Sequence, residues 1–207
     1  MRLGVDFGGT KIEGALLDSK GEILVRQRVP NPGDYHSAVR ALADLTARIE
    51  QEAGARAAAV GVALPGSLSP KTGMIRNANS VWMNGKPFLQ DLKEALARPV
   101  RVENDANCFA LSEAVDGAAA DGRVVFGVII GTGCGGGVVV DRKVVTGVNG
   151  VGGEWGHMPL PWPRADEVYT QDWCGRWGCL EQWISGSGFK RWAGMSAGDA
   201  DKAAQAG

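Results

Sequence analysis

The sequence lacks three features that would assign it to a special class of protein. Its 22 basic and 23 acidic residues leave a formal charge of −1, so no excess of one sign predicts a nucleic acid or an anionic membrane as partner. No apolar run approaches the roughly 20 residues that cross a bilayer. Asp6 interrupts the N-terminal apolar residues too early for a secretory signal. We therefore expect a cytoplasmic protein with no nucleic-acid or membrane partner.

Cysteine is scarce as well. Four cysteines in 207 residues are too few for the disulfide framework of a small secreted domain. Their thiols are expected to be free or bound to metal, as in a reducing compartment. The four are Cys108, Cys134, Cys174 and Cys179.

Glycine is the abundant residue, with 31 in the chain, and eleven of these lie between Gly127 and Gly156. The glycines follow no three-residue period and proline contributes only 9 residues, which excludes collagen and low-complexity disorder. A dense glycine block in a chain that is 44% hydrophobic predicts backbone that approaches a phosphate or another strand closely.

The apolar pattern predicts a mixed α/β fold. The predicted elements are strands at 2–7, 12–17 and 22–29, a helix at 36–53, a strand at 57–64, a helix from Phe88 to Leu96, a strand at 100–102 and a helix from Asn104 to about Val115. A strand, a Gly/Thr turn and a return strand then recur at 124–140, either as a weak internal duplication or as an unrelated hairpin. We predict one domain at 1–120 and a partial second domain at 121–207, because no strand–helix pair is predicted after Gly188.

Two glycine turns follow predicted strands. After Asp6 come Gly8, Gly9, Thr10 and Lys11, where a carboxylate suits hydrated Mg²⁺ and bare backbone N–H groups suit a phosphate; a plain type I′ hairpin remains the alternative. The segment 131–137 contains a formal GxGxxG, but a β-branched strand follows it instead of the helix that dinucleotide binding requires. A glycine-rich hairpin that contacts phosphates therefore fits better than a Rossmann turn.

Polar residues with catalytic or metal-binding chemistry occur at two further places. Asn104 and Asp105 begin a predicted helix, so they are either simple N-caps or include a general base, Asp105. His157, Cys174 and Cys179 are ligands of the kind that Zn²⁺ prefers, although free cysteines also pack as small apolar residues.

These motifs, in this order, resemble those of ROK-family sugar kinases over positions 2 to about 190. The motifs are Asp6-x-Gly8-Gly9-Thr10-Lys11, Pro65-Gly66, Glu103-Asn104-Asp105-Ala106-Asn107, Gly131-Thr132-Gly133-x-Gly135-x-Gly137, Gly153-Glu154-x-Gly156-His157 and Cys174-Gly175-x-x-Gly178-Cys179-x-Glu181. The segments 66–70, 77–85 and 157–162 look most like the bacterial fructokinase (manno-fructokinase) branch, and the N-acetylglucosamine kinase branch comes second.

The resemblance implies an actin/hexokinase-like, ribonuclease H-like duplicated α/β fold with two domains around a cleft. It implies ATP-dependent phosphorylation of a hexose, fructose first, with mannose or glucose possible, and Asp105 as the base. The sugar-binding residues it implies are Asn79, Asn104, Asp105, Glu154, His157 and Glu181. The residues implied around Mg²⁺-ATP are Asp6, Gly8, Gly9, Thr10, Lys11, Thr132 and Gly133.

The sequence departs from the family pattern at two points. Asp172 stands where the family usually has the first cysteine of its zinc motif, so the implied structural Zn²⁺ would be held by His157, Asp172, Cys174 and Cys179, or the site is empty. The family also continues for roughly a hundred residues beyond this chain's length. We therefore expect a second domain that is incomplete, and a homodimer once the chain is completed.

Two further hypotheses stay open at this stage. The chain is a truncated, inactive sugar-binding fragment if the absent segment is essential. A sugar-responsive ROK repressor is disfavoured, because such proteins place a DNA-binding helix-turn-helix before the kinase-like domain, whereas here the Asp6 strand begins at residue 2 and no basic segment is present.

Overall fold

The computed structural model describes residues 1–165, 167 and 170–205. The chain forms two compact units. The first unit comprises Met1–Cys108 with Val148–Gly150, and the second comprises Phe109–Gly147 with Val151–Gly207. The domain boundary at 120/121 stays a prediction. No helix among the described residues is long and apolar enough to cross a membrane.

Strands and helices are mixed along the chain, as the sequence predicts for an α/β fold. In the first unit they are β1 Arg2–Phe7, β2 Lys11–Leu17, β3 Ile23–Pro30, α1 Tyr35–Ala53, β4 Val60–Leu64, β5 Ser67–Leu68, β6 Ile75–Arg76, a 3₁₀ turn Val81–Met83, α2 Phe88–Leu96 and β7 Val100–Asn104. From there on they are α3 Asp105–Val115, β8 Val124–Ile130, β9 Cys134–Val140, β10 Lys143–Val144, a 3₁₀ turn Trp155–His157, α4 Glu181–Ile184, α5 Gly186–Ala193 and α6 Ala197–Gln205.

The first unit is built on a five-stranded sheet in the order β3-β2-β1-β4-β7. The pairs β1/β2 and β2/β3 are antiparallel, whereas β1/β4 and β4/β7 are parallel. Alternate residues of β1 enter the core, so Leu3, Val5 and Phe7 are buried while Gly4 and Asp6 are exposed. This period of two leaves Asp6 outside the core at the end of its strand.

Helix α1 covers one face of this sheet, packing on β2, β3 and α2. Asp34 caps it by accepting a hydrogen bond from the Ser37 N–H at 3.0 Å. Gly54 ends it with φ 60. Gly14 of β2 lets the helix approach closely, since a β-carbon there would lie 2.6 Å from Cδ1 of Ile49.

The second unit contains a three-stranded sheet in the order β10-β9-β8. Four buried residues of the described part form its apolar cluster: Ala110, Ala114, Val125 and Val139. Strand β9 begins at Cys134, whereas the sequence predicted the return strand only at 138–140. Gly135, Gly136 and Gly137 pair in register with Ile129, Val128 and Gly127 of β8, so pairing to a neighbour overrides the weak strand propensity of glycine.

Helices α5 and α6 begin at Gly186 and Ala197. The sequence predicts no further strand–helix pair in this region. Ser185 caps α5 by accepting from the Gly188 N–H at 3.0 Å, and Ser196 accepts from the Asp199 N–H at 3.1 Å at the start of α6. These local hydrogen bonds explain how helices begin where large apolar residues are few.

A buried ion pair ties α1 to the segment before β7. Arg98 donates to both carboxylate oxygens of Glu50, at 2.5 and 2.9 Å, and the side chains are 8% and 12% exposed. Ala57 completes the arrangement, donating its N–H to Glu50 and accepting from Arg98, each at 2.8 Å. Burial alone would raise the pKa of Glu50, but these hydrogen bonds and the Arg98 charge hold it below its usual value.

Replacing Arg98 by alanine is expected to lower the free energy of unfolding by about 3 kcal/mol, because it leaves a buried carboxylate without its counter-charge. Urea unfolding at pH 7 measures this, with Arg101→Ala at an exposed position of β7 as control. The pair stabilises the protein above the ordinary pKa of Glu50, 4.5, and this contribution is lost as the pH falls through the lowered folded-state pKa. The native and Arg98→Ala proteins should therefore have nearly the same free energy of unfolding in acid. Equal losses for Arg98→Ala and Arg101→Ala at pH 7 would contradict a stabilising role of the ion pair.

Candidate active site and metal centre

The first glycine turn joins β1 to β2 and is fixed by hydrogen bonds within the protein. The Gly8 N–H donates to the Lys11 carbonyl at 3.0 Å, and Asn31 fixes the turn by donating its amide to the Gly8 carbonyl at 2.8 Å. Neither Gly8 nor Gly9 has a left-handed φ, so the turn is not type I′. Glycine is needed at position 8 for space, because a β-carbon there would lie 3.0 Å from the Lys11 carbonyl oxygen.

Two carboxylates of the first unit influence each other electrostatically. Asp6 is the second-to-last residue of β1, and Asp105 begins α3. Partial desolvation raises the pKa of Asp105, and the negative charge of Asp6 raises it further. Desolvation and the charge of Glu13 likewise raise the pKa of Asp6. Raised pKa values in a carboxylate pair are typical of sites that bind a cation or move a proton.

Asn104, not Asp105, caps α3. Its side-chain oxygen accepts from the Asn107 N–H at 3.1 Å, and its amide donates to the Gly66 carbonyl at 3.0 Å. Asp105 accepts at one oxygen from the adjacent Ala106 N–H at 2.9 Å. The carboxylate of Asp105 is therefore not consumed by capping, which removes the main objection to a role as base.

Asn79 lies on the loop before the 3₁₀ turn Val81–Met83 and is exposed to solvent. The loop is held by Asn84, which accepts from the Ala78 N–H at 2.9 Å and donates to the Ala78 carbonyl at 3.1 Å. This clamp fixes the backbone next to Asn79 and leaves its side chain at the surface.

The second glycine turn, Gly131–Gly133, joins β8 to β9. The start of α5 binds it from one side, since the Gly186 N–H donates to the Gly131 carbonyl at 2.7 Å and the Ser187 N–H donates to the Thr132 carbonyl at 3.2 Å. The turn is thus anchored through its carbonyl groups.

Glu181 holds the same turn through its side chain. One carboxylate oxygen accepts from the Cys134 N–H at 2.7 Å and the other from the indole N–H of Trp173 at 2.9 Å. A β-carbon on Gly133 would lie 2.6 Å from this carboxylate. Glu154, another acidic residue implied at the sugar, precedes the 3₁₀ turn that contains His157.

Four side chains of the second unit come together as a candidate metal centre. The ligand atoms of His157, Asp172, Cys174 and Cys179 all lie within 4.8 Å of one another. The two Sγ atoms are 3.7 Å apart, and Nδ1 of His157 lies 2.8 Å from Oδ2 of Asp172. Nδ1 is buried and makes no hydrogen bond of acceptable geometry, as expected of a nitrogen whose lone pair faces a cation.

Sequence reasoning grouped these four residues but missed the side chains around them. Gln182 donates its amide to Oδ1 of Asp172, and Arg191 donates to the amide oxygen of Gln182. The ring of Trp173 packs edge-on to that of His157 at 4.9 Å. No sequence motif marks Gln182 or Arg191, whereas Trp173 lies between two of the ligands in the sequence.

Glycines bring two segments of the second unit into backbone contact beside this site. A β-carbon on Gly153 would lie 2.5 Å from the Gly136 carbonyl oxygen. One on Gly156 would lie 2.5 Å from the Cys134 carbonyl oxygen. The approach brings the indole N–H of Trp155 within 2.6 Å of the Gly135 carbonyl.

Replacing Gly153 by alanine is expected to destabilise the protein at two levels. Its φ of +87 costs a side-chain-bearing residue about 1–2 kcal/mol, and the clash with Gly136 adds about 1–3 kcal/mol. Gly194→Ala is the matched control, because Gly194 has φ +71 with nothing within 4 Å of a β-carbon. Thermal unfolding should show a clearly larger loss for Gly153→Ala; equal losses would mean that the contact with Gly136 is not tight.

Curated relatives are 40% identical to the chain over the aligned residues. An N-acetyl-D-glucosamine kinase of Pectobacterium atrosepticum is 40% identical over 196 residues, which cover 92% of this chain and 64% of that protein. One from Escherichia coli is 40% identical over 195 residues, covering 91% and 64%. The chain thus spans about two thirds of the length of these relatives. Their name is that of the second branch considered above, so the fructokinase branch is not supported.

Solved structures share the fold. A ROK hexokinase from Thermus thermophilus superposes with a TM-score of 0.80 at 39% identity, covering 93% of this chain and 62% of that one. A ROK family glucokinase from Streptomyces griseus, in complex with glucose and AMPPNP, gives 0.76 at 32% identity, covering 93% and 59%. The α/β fold is therefore the actin/hexokinase-like fold of these proteins, of which the chain covers a part. Residues 2–205 match the ROK family, and the protein belongs to this family.

Proposed function

We propose that the protein transfers the γ-phosphoryl group of ATP to a hydroxyl of N-acetyl-D-glucosamine. The observation that carries this proposal is Asp105, a carboxylate at the start of α3 with a raised pKa that capping leaves available. A base with a raised pKa accepts a proton from an attacking hydroxyl more readily. The names of the relatives at 40% identity favour N-acetyl-D-glucosamine over fructose, mannose and glucose.

In this proposal the two glycine turns contact the nucleotide phosphates. Gly9, Thr10 and Lys11 offer backbone N–H groups, a hydroxyl and a cation beside Gly8, whose own N–H donates to the Lys11 carbonyl. Thr132 and Gly133 offer a second turn. Asp6 suits the hydrated Mg²⁺ that accompanies ATP, because Mg²⁺ binds through one or two carboxylates and keeps several waters. The metal would offset charge on the transferred phosphoryl group.

The sugar hydroxyls are proposed to contact Asn79, Asn104, Glu154, His157 and Glu181. Asn104 and Glu181 already make hydrogen bonds within the protein, which fix their orientation while a carbonyl or carboxylate oxygen can accept a further bond. His157 would offer Nε2 to the sugar, since Nδ1 faces the metal centre.

We also propose that the metal centre holds Zn²⁺ in a structural role. Cys, His and Asp are the ligand types that zinc prefers. Two sulfur atoms bound at about 2.3 Å on the corners of a tetrahedron lie about 3.8 Å apart, and the Sγ atoms of Cys174 and Cys179 are 3.7 Å apart. Zinc at this site would fix the backbone that carries His157 and Glu181.

ADP release with four sugars tests the proposal on the 207-residue chain. N-acetyl-D-glucosamine is expected to give a higher kcat/KM than glucose, mannose or fructose. Calorimetric titration of each sugar, with and without a non-hydrolysable ATP analogue, runs in parallel. Sugar binding without turnover would instead identify a sugar-binding fragment, and a preference for fructose would restore the first branch.

A further inference from the structure

The Asp172 carboxylate is buried completely, and its two oxygens have different surroundings. The side chain is 0% exposed. Oδ1 accepts a hydrogen bond from the amide of Gln182. Oδ2 lies 2.8 Å from Nδ1 of His157 and accepts from the Cys174 N–H at 3.3 Å. Oδ1 is thus hydrogen-bonded to the Gln182 amide, whereas Oδ2 faces the other candidate metal ligands.

The side-chain amide of Gln182 is fixed in one orientation, because its oxygen and its NH₂ group cannot exchange positions. Its oxygen accepts from Nη1 of Arg191, which also donates to Oγ1 of Thr170 at 3.0 Å. A guanidinium group is only a donor, so it requires the amide oxygen on its side and directs the NH₂ group towards Asp172. Gln182 is buried, with 8% of its surface exposed, which leaves it no solvent partner to exchange for these two.

We infer that Gln182 and Arg191 are positioning residues for the metal centre, where they hold Asp172 as a ligand through Oδ2 alone. This inference rests on the proposed zinc site. A carboxylate can rotate and bind through either oxygen or both, whereas a thiolate has a single donor atom. The carboxylate at position 172 therefore depends on a neighbour that occupies Oδ1, and Gln182 supplies it. Loss of such an outer hydrogen bond lowers metal affinity by about 10–100-fold.

The test compares Gln182→Leu in two backgrounds, the native chain and an Asp172→Cys chain. Zinc affinity is measured by competition with a chromophoric chelator, and the visible absorption of the Co²⁺-loaded protein reports the coordination. Gln182→Leu is expected to weaken zinc binding about 10–100-fold in the native background and to change the Co²⁺ bands. In the Asp172→Cys background it should cost no more than Gln90→Leu, a control at an exposed amide of α2 that donates to Glu94.

Arg191→Met provides a second route to the same conclusion if Gln182→Leu does not fold. It leaves Gln182 in place but frees its amide to turn, so it should also weaken zinc binding in the native background and not in the Asp172→Cys background. Equal losses in both backgrounds would mean that the two residues only stabilise the fold, and would overturn the inference. Unchanged affinity in the native background would overturn it as well, whereas a native chain that binds no zinc would overturn the zinc proposal with it.

Discussion

Asp105→Asn is expected to lower kcat by about 10²–10⁴-fold, the usual contribution of a general base, with sugar affinity nearly unchanged. Asparagine keeps the shape of the side chain, so α3, whose cap is Asn104, begins as before. Only the ability to accept a proton is lost. A coupled assay of ADP release with calorimetric sugar titration separates the two effects. Asp116→Asn, an exposed aspartate beyond the end of the same helix, is the control.

The same variant should be more stable than the native protein at neutral pH. Desolvation and the charge of Asp6 raise the folded-state pKa of Asp105 above its ordinary 3.8, so the folded protein binds this proton more tightly than the unfolded chain does. Ionisation therefore destabilises the fold as the pH rises through that raised pKa, and asparagine avoids the loss. Thermal unfolding should show a gain at pH 7 that disappears below pH 3.8. Native turnover together with unchanged stability would reject Asp105 as the base.

The position of Asp105 was predictable because a strand, a helix start and two capping residues are all local signals. Asn104 and Asp105 lie where the sequence placed them. The choice between cap and base was not local: it required the Gly66 carbonyl, 38 positions away, to take the amide of Asn104. Which of two adjacent polar residues caps a helix is thus decided by tertiary contacts.

The roles of the individual glycines between Gly127 and Gly156 were less predictable from the sequence. Their density predicted close approach of the backbone to a phosphate or another strand, and the segment 131–137 was assigned to phosphate contact. In the structure the turn comprises only Gly131–Gly133. Gly136, Gly153 and Gly156 instead lie where two backbone segments of the second unit pack closely together. A glycine required by a ligand and one required by a neighbouring strand look alike in sequence, because both reflect only the missing β-carbon.

The proposed metal centre would have a large structural role, because the segment around it contains little regular structure. Between residues 151 and 180 the described part has one 3₁₀ turn and two isolated bridges, Pro159 with Cys179 and Gln171 with Trp177. Among the described residues, the apolar cluster of the second unit has four buried members, whereas that of the first has twenty-two. Trp173 and Trp177 are more than half exposed. Apolar burial therefore stabilises this segment weakly, so the proposed Zn²⁺ would contribute much of its order, beside the hydrogen bonds of its backbone.

Removal of the metal, by chelation or by Cys179→Ser, is expected to release residues 151–180. Cys179 is buried, and its Sγ lies 3.7 Å both from Sγ of Cys174 and from the His157 carbonyl oxygen to which it donates, so its loss opens both ends of the cluster. The local opening free energy should fall by about 4 kcal/mol or more, in the range of lost metal sites, which is about a 10³-fold loss of amide exchange protection. Hydrogen exchange with mass spectrometry measures it. Cys108→Ser, a free thiol of the first unit, should leave the segment protected; protection that survives both chelation and Cys179→Ser would show that packing alone holds the segment.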